Sequence, residues 1–371
     1  MEPLRHPTLP AGIRSRRIEG INGLTMHLLE AGDAGRPALL LLHGFPELAY
    51  SWRKVMLPLA EAGFHVIAPD QRGYGRTTGW NDAYDADLRP FALLNLIRDQ
   101  LALLAALGIA QVHAVIGHDF GSPVAAHCAL VRPDMFRRVA LMSAPFAGPP
   151  AIGAARRAPV ADIAKDLAAL PRPRKHYHWY YAARPANGDM MAAPQGLPAF
   201  IRAYYHHKSG DWAGNDVVPL KGWTAEELAR LPTYYVMDLA ETMPQTVAHE
   251  MPAPEQAAAC TWLTEAELAV YAQEYGRSGF QGGLNWYRTR FTDANMEMEA
   301  FAGRRIEVPA CFIAGSRDWG VQQTPGALRK MEAEACADWR GTHLVAGAGH
   351  WVQQERPAET VALLRDFLAQ A

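Results

Sequence analysis

Apolar residues in this chain gather into short, nearly unbroken runs instead of alternating with polar ones. Leu39-Leu40-Leu41-Leu42, Val112-His113-Ala114-Val115-Ile116, Val139-Ala140-Leu141-Met142-Ser143 and Pro309-Ala310-Cys311-Phe312-Ile313-Ala314-Gly315 are the clearest. Strands that are apolar on both faces belong in a parallel sheet covered by helices on each side. A stretch of small residues with helical character, Pro123 to Leu130, follows the second run, and His343 to Ala346 reads as a short last strand. Near the amino end, Asn22-Gly23 stands between Arg17-Ile18-Glu19 and Thr25-Met26-His27-Leu28. This predicts a β-hairpin, because Asn-Gly tolerates the positive φ values of a two-residue turn.

The pattern breaks after Pro145. Gly148-Pro149-Pro150 reads as a linker, and from there to about Phe301 the chain is rich in Ala, Pro, Met, Trp and Tyr. Helical patches occur at Thr224 to Leu231 and at Thr264 to Gly276, the second opened by Thr264-Glu265-Ala266-Glu267, a capping-box pattern. Strand character returns at Ile306. The expected organisation is an α/β core formed by residues 1–145 and 302–371, interrupted by an inserted, mainly helical lid at 146–301.

Composition narrows the function classes. At 371 residues the chain is long enough for a core and a subdomain. A formal net charge of −2 with both signs interspersed speaks against nucleic-acid or anionic-membrane partners. No apolar run approaches the ~20 residues of a membrane span. Met1 to Gly20 is basic but lacks an apolar segment, so no secretory signal is expected. The four cysteines follow no pairing pattern, and Cys128 and Cys311 fall in buried elements, where cysteine acts as a small hydrophobe. A reducing, cytoplasmic setting is expected. The oligomeric state is open, a homodimer included.

The chemistry begins at Gly117-His118-Asp119-Phe120-Gly121. Strand, sharp turn and helix in succession form a nucleophile elbow, here carrying aspartate where many hydrolases carry serine. A carboxylate with an ordinary pKa near ~3.9 is ionised at neutral pH and can attack without a base. Asp318 follows the strand ending at Gly315, and Gly347-Ala348-Gly349-His350 follows the last strand. Nucleophile, acid and histidine therefore occur in the chain order of α/β-hydrolases, each at the carboxyl end of a predicted parallel strand, where such sheets place their ligands. His43-Gly44-Phe45-Pro46-Glu47, after the first parallel strand, offers the backbone N–H of Phe45; with the N–H of Phe120 it makes an oxyanion hole. Any one of these features alone is more often a turn cap or a structural residue. His118 reads as structural, and His206-His207 as a solvated pair, since adjacent residues on a helix or strand do not share a face.

These motifs resemble the soluble epoxide hydrolase branch of the α/β-hydrolase family, and the likeness covers most of the chain. His43-Gly44-Phe45-Pro46-Glu47, Tyr50-Ser51-Trp52-Arg53, Asp70-Gln71-Arg72-Gly73-Tyr74-Gly75 and the elbow are similar to that branch, although many members carry tryptophan at the position of Phe120. Ser278-Gly279-Phe280, Leu284-Asn285-Trp286-Tyr287-Arg288 and Tyr177-His178-Trp179-Tyr180 are similar to the segments carrying the two lid tyrosines. The resemblance implies a mostly parallel eight-stranded sheet flanked by helices, with a lid that is longer than usual between Tyr181 and Ala253. It also implies conversion of an epoxide plus water to a vicinal diol through a covalent ester on Asp119. His350, oriented by Asp318, would be the base, and Tyr177 and Tyr287 would donate protons to the epoxide oxygen, with Tyr180 the rival of Tyr177. Phe45, Pro46, Phe120, Trp179, Tyr180, Trp286 and Trp351 would line the substrate site, with no metal or organic cofactor.

Two other readings are open at this level. A haloalkane or haloacid dehalogenase uses the same Asp-His-Asp set, but Phe120 has no donor for a departing halide. A ligand-binding receptor on a decayed scaffold would not need an intact nucleophile, acid and base. The aromatic, methionine-rich lid suits an apolar epoxide, while Arg172, Arg174, Arg184 and Arg202 leave room for an acidic one.

Overall fold

Asn22 and Gly23 take φ values of 50° and 81°, the turn their sequence predicts. The hairpin they join is longer than the apolar pattern indicated: β1 (Arg14–Ile21) pairs antiparallel with β2 (Leu24–Ala31). The computed structural model describes residues 4–153 and 160–370. The sheet continues through β3 (Ala38–Leu42), β4 (His65–Pro69), β5 (Ala114–His118) and β6 (Val139–Met142). An insert contributes two short strands, β7 (Arg174–His176) and β8 (Val236–Asp238), before β9 (Ile306–Gly315) and β10 (Cys336–Val345) close the main sheet.

The main sheet has eight strands in the order β1-β2-β4-β3-β5-β6-β9-β10. Pairing is antiparallel from β1 to β2 and from β2 to β4, and parallel from β4 onward. All five residues of β3, and all of β4 and β5, are buried, which is why these strands read as continuous apolar runs. The last strand corrects the sequence reading, because it begins at Cys336 instead of His343. It is an edge strand with register shifts around Asp338 and Gly341, and its alternation of polar residues hides it from an apolar-run criterion. Helices α1 (Arg53–Glu61), α2 (Leu93–Ala106) and α3 (Gly121–Val131) cross between core strands.

The chain between β6 and β9 is mainly helical, as expected. It includes α4 (Tyr177–Ala182), α5 (Leu197–Lys208), α6 (Glu265–Ser278) and α7 (Gln281–Arg288). Residues 154–159 of this stretch lie outside the described part. The predicted capping box is present: Thr264 Oγ1 accepts from the Glu267 amide, and Glu267 accepts from the Thr264 amide. The same Glu267 pairs with Arg53 of the core at 2.8 Å, and Arg53 is fully buried. Tyr275 of α6 donates to the Glu47 carbonyl at 3.0 Å. Breaking either contact from one side leaves a buried polar group unpaired, so the insert is held in register over the sheet. His207 at the end of α5 is buried against Trp212 and Tyr234, which corrects the expectation of a solvated pair; the α5 face carrying it turns inward. Among the described residues, no helix is long and apolar enough to cross a membrane.

One histidine makes the elbow helix acid-sensitive. His127 is buried in α3, its Nδ1 bonded to the Pro123 carbonyl at 2.7 Å and its Nε2 without a partner. Burial lowers its pKa to about 4, from an ordinary ~6.5. The folded state thus refuses a proton that the unfolded chain accepts, and stability falls as pH drops from ~6.5 toward 4. This one group should contribute up to about 1.4 kcal/mol per pH unit in that window. Urea midpoints measured between pH 7 and 4 should fall less steeply in a His127→Leu variant. An unchanged slope would remove His127 from the account.

Candidate active site

Asp119 has φ 51°, one of three non-glycine residues with positive φ among the described residues. The conformation costs about 1–3 kcal/mol and survives because packing dictates it. A side chain at Gly117 would collide with the backbone of Gly121, and one at Gly121 with the Leu42 carbonyl, so the tight turn from β5 into α3 admits only glycine at both places. At Gly44 a side chain would meet the Asp119 carboxylate itself. The spacing of glycines in the two motifs is therefore a steric requirement of bringing the 43–47 loop against the elbow.

The carboxylate is held from two sides. Asp119 Oδ1 accepts the Phe45 amide at 2.9 Å, and Oδ2 lies 3.2 Å from His350 Nε2. The other ring nitrogen, Nδ1, is 3.0 Å from Asp318 Oδ1, and Asp318 also accepts the Gly320 amide at 2.7 Å. Phe120, whose amide is the other expected donor, is the N-cap residue of α3. Burial works against ionised Asp119. The hydrogen bond and charge of His350, then the charges of Lys208 and His118, more than offset it and hold the carboxyl well below its ordinary range. Burial likewise opposes ionised Asp318, and His350 reverses it.

Tyr177 and Tyr287 come from different insert helices, yet they face one another with ring centroids 5.8 Å apart. Both line, with Asp119 and Phe120, one open cavity. Burial, followed by neighbouring groups that include Asp119, pushes both phenols well above their usual pKa, so each stays protonated at neutral pH. Tyr177 donates to Gln323 at 3.0 Å, and Tyr287 sets its ring edge-on to Phe120 at 4.7 Å.

The other expected residues fall behind this cavity wall. Tyr180 donates to Asp189 at 3.0 Å and does not line the cavity, whereas Tyr177 does. Trp179 packs on His176, and Trp286 donates to the Arg72 carbonyl at 2.9 Å. Trp351 donates to the Tyr205 carbonyl and sets its ring 4.7 Å from that of His350. Phe45 supports Tyr287 edge-on at 5.4 Å, and the Pro46 carbonyl accepts from Tyr205. Arg172 is paired with Asp238, Arg184 with Asp85 and Arg202 with Glu265, while Arg174 bonds the Val236 carbonyl.

Three buried charges escaped the sequence reading. Glu47, fully buried, lies 2.5 Å from His118 Nδ1 and accepts the Gly44 amide at 3.0 Å. His118 Nε2 in turn lies 2.7 Å from the His350 carbonyl, so this pair braces both loops that frame Asp119. Glu355 accepts from the amides of Gly349, Trp351 and Gly210, bracketing His350 and tying it to the insert; burial still raises its pKa to about 7. Lys208 is buried with its ammonium 4.8 Å from the ring of Tyr235 and 5.5 Å from that of Trp351, where it bears on Asp119. Glu47 was visible in its motif, without a role. Nothing local marks Lys208 or Glu355.

Residues 37–178 match the family described as alpha/beta hydrolase fold. Epoxide hydrolase A of Mycobacterium tuberculosis is 34% identical over 370 residues, covering 96% of this chain and 98% of its own. Epoxide hydrolase 2 of Siraitia grosvenorii is 31% identical and covers 99% of both. Among solved structures, an epoxide hydrolase from an endophytic Streptomyces superposes with a TM-score of 0.78 at 31% identity, over 97% of this chain and 96% of that one. Epoxide hydrolase A from Mycobacterium thermoresistibile superposes with a TM-score of 0.74 at 33% identity, over 96% and 98%.

Proposed function

The chain belongs to the epoxide hydrolase branch of the α/β-hydrolase family and is an epoxide hydrolase, and from that premise we propose how its own residues carry the reaction. One observation supports the assignment above the rest: an ionised carboxylate and two protonated phenols share one cavity. An epoxide has an electrophilic ring carbon and a poor alkoxide leaving group, so it needs a nucleophile at the carbon and an acid at the oxygen at once. Asp119 attacks the carbon, the C–O bond breaks, and an alkyl ester forms on the enzyme. Tyr177 and Tyr287 hydrogen-bond the ring oxygen and one of them protonates it. His350 then takes a proton from water, which adds to the ester carbonyl. The oxyanion forms against the amides of Phe45 and Phe120; on collapse His350 returns its proton to the departing oxygen, a vicinal diol leaves, and the proton left on the Asp119 carboxyl returns to the tyrosinate, which restores the enzyme.

Residues 146–301 act as the lid over the core of 1–145 and 302–371, bringing the two tyrosines to the elbow. The chain's four free cysteines, three of them buried, suit a reducing, cytoplasmic setting. Incubation with styrene oxide, a chloroalkane or buffer alone, scored for diol and for halide, tests the reading. Diol without halide is the expected result, and halide release would favour dehalogenation.

The carboxylate partner of His350 has its own test. Some relatives place this acid after the strand ending near Ser143; here that loop carries none, and Ser143 Oγ donates to the His350 carbonyl. Asp318→Asn should leave the melting temperature near that of the parent and lower kcat by roughly 10²- to 10⁴-fold, because asparagine favours the wrong imidazole tautomer. Near-parental turnover would point to another carboxylate.

A further inference from the structure

The cavity over Asp119 has a charged end that the reaction does not use. Its inner wall holds Asp119, Tyr177 and Tyr287, all buried, and its outer rim holds Arg290, Gln323 and Thr324. Arg290 and Thr324 are exposed, so this rim is the mouth. Between rim and floor the wall is apolar, formed by Phe120, Pro123 and Pro145. The arginines that a sequence reading offers to an acidic substrate are all engaged elsewhere by Asp238, Asp85, Glu265 or a carbonyl. Arg290 is different. It follows α7 within a turn at Thr289–Phe291, and no hydrogen bond or ion pair engages its guanidinium among the described residues. Its charge reaches into the cavity, where it bears on both Tyr177 and His178. His178 also lines the cavity, and burial followed by the Arg290 charge keeps it neutral. Asp119 is buried and is the one carboxylate among the described residues that line the cavity, whereas Arg290 is exposed.

We infer that Arg290 is a specificity-determining residue that selects epoxides carrying an anionic group, a carboxylate above all, set apart from the oxirane by an apolar spacer. The inference rests on the epoxide hydrolase reading and narrows its substrate class. The spacer follows from charge: an anion next to the oxirane would be driven against ionised Asp119, whereas one at the mouth meets a guanidinium with donors to spare. A forked guanidinium fits a carboxylate better than an ammonium does, and the hydroxyl of Thr324 stands on the same rim to share it.

The test uses two substrates that differ in charge and little else, 4-(oxiran-2-yl)benzoate and its methyl ester. The readout is the ratio of their kcat/KM values for diol formation at low ionic strength. The parent enzyme should favour the acid by about tenfold, the worth of one charge-assisted hydrogen-bonded contact at a partly exposed site. That ratio should fall as salt is added. Arg290→Gln should bring the ratio close to one, Arg290→Glu should invert it, and Arg290→Lys should keep part of it. Arg290 is exposed, so equal melting temperatures should accompany these variants. A parent ratio near one, or a ratio that Arg290→Gln leaves unchanged, overturns the inference while diol formation from the ester upholds the epoxide reading. Diol from neither compound overturns both.

Discussion

In the His350→Gln variant, intact-protein mass after addition of an epoxide should rise by the mass of one substrate, on the peptide containing Asp119, while steady-state turnover falls by roughly 10²- to 10⁴-fold. The two steps separate because they need different groups. Attack requires an ionised carboxylate and the two lid phenols, and His350 supplies neither. Although His350 contributes most to holding Asp119 ionised, the Phe45 amide and the charges of Lys208 and His118 remain after its loss. Breakdown of the ester requires a base for water, and glutamine has none. The adduct should therefore persist for as long as the protein is followed, and it should clear in the parent. Loss of activity with no adduct would count against a covalent route and would favour direct attack by water.

The Tyr177→Phe plus Tyr287→Phe double variant should form almost no ester in single-turnover experiments. Each single replacement should slow ester formation by about 10- to 100-fold, because the other phenol can still donate. With both gone, the alkoxide would form beside Phe120 and Pro123 without either phenol to protonate it, and a charge left unpaired in such surroundings is costly. The combined loss should reach the order of 10³–10⁴. Breakdown of ester already formed should change far less, since its oxyanion faces the backbone of Phe45 and Phe120. Ester formation at the parental rate in the double variant would remove the main support for epoxide opening and would reopen the dehalogenase reading, to be settled by assaying halide release.

Much of the core was legible because its signals are local. Leu39–Leu42 and Val139–Met142 are apolar throughout since both faces of their strands are covered, and period and burial agree without reference to anything distant. The same holds for Asn22-Gly23 and for the Thr264 capping box, where the residues that make the structure are neighbours in sequence. The last strand was under-read for the opposite reason. Cys336–Val345 is an edge strand, half exposed and bulged near Gly341, so its sequence lacks the apolar continuity of the interior strands.

The site divides along the same line. The Gly-x-Asp-x-Gly elbow, Asp318 and the glycine loop before His350 each sit at the end of a strand that the sequence itself announces, so chain order alone placed three chemically complementary side chains at one edge of the sheet. Sequence by itself thus determined the fold class, the strand–turn–helix around Asp119 and the chain order Asp119, Asp318, His350. It could rank Tyr177 above Tyr180 only by likeness to a family. Their surroundings differ in the tertiary structure: Tyr180 donates to Asp189, whereas Tyr177 lines, with Tyr287, a cavity assembled from segments more than a hundred residues apart. The structure likewise decided which arginine meets the cavity, that Lys208 and Glu355 are buried beside the elbow and the histidine loop, and that Glu47 pairs with His118. Such contacts depend on how the insert docks on the sheet. Docking is a sum of many long-range packing terms, and no short window of sequence records it.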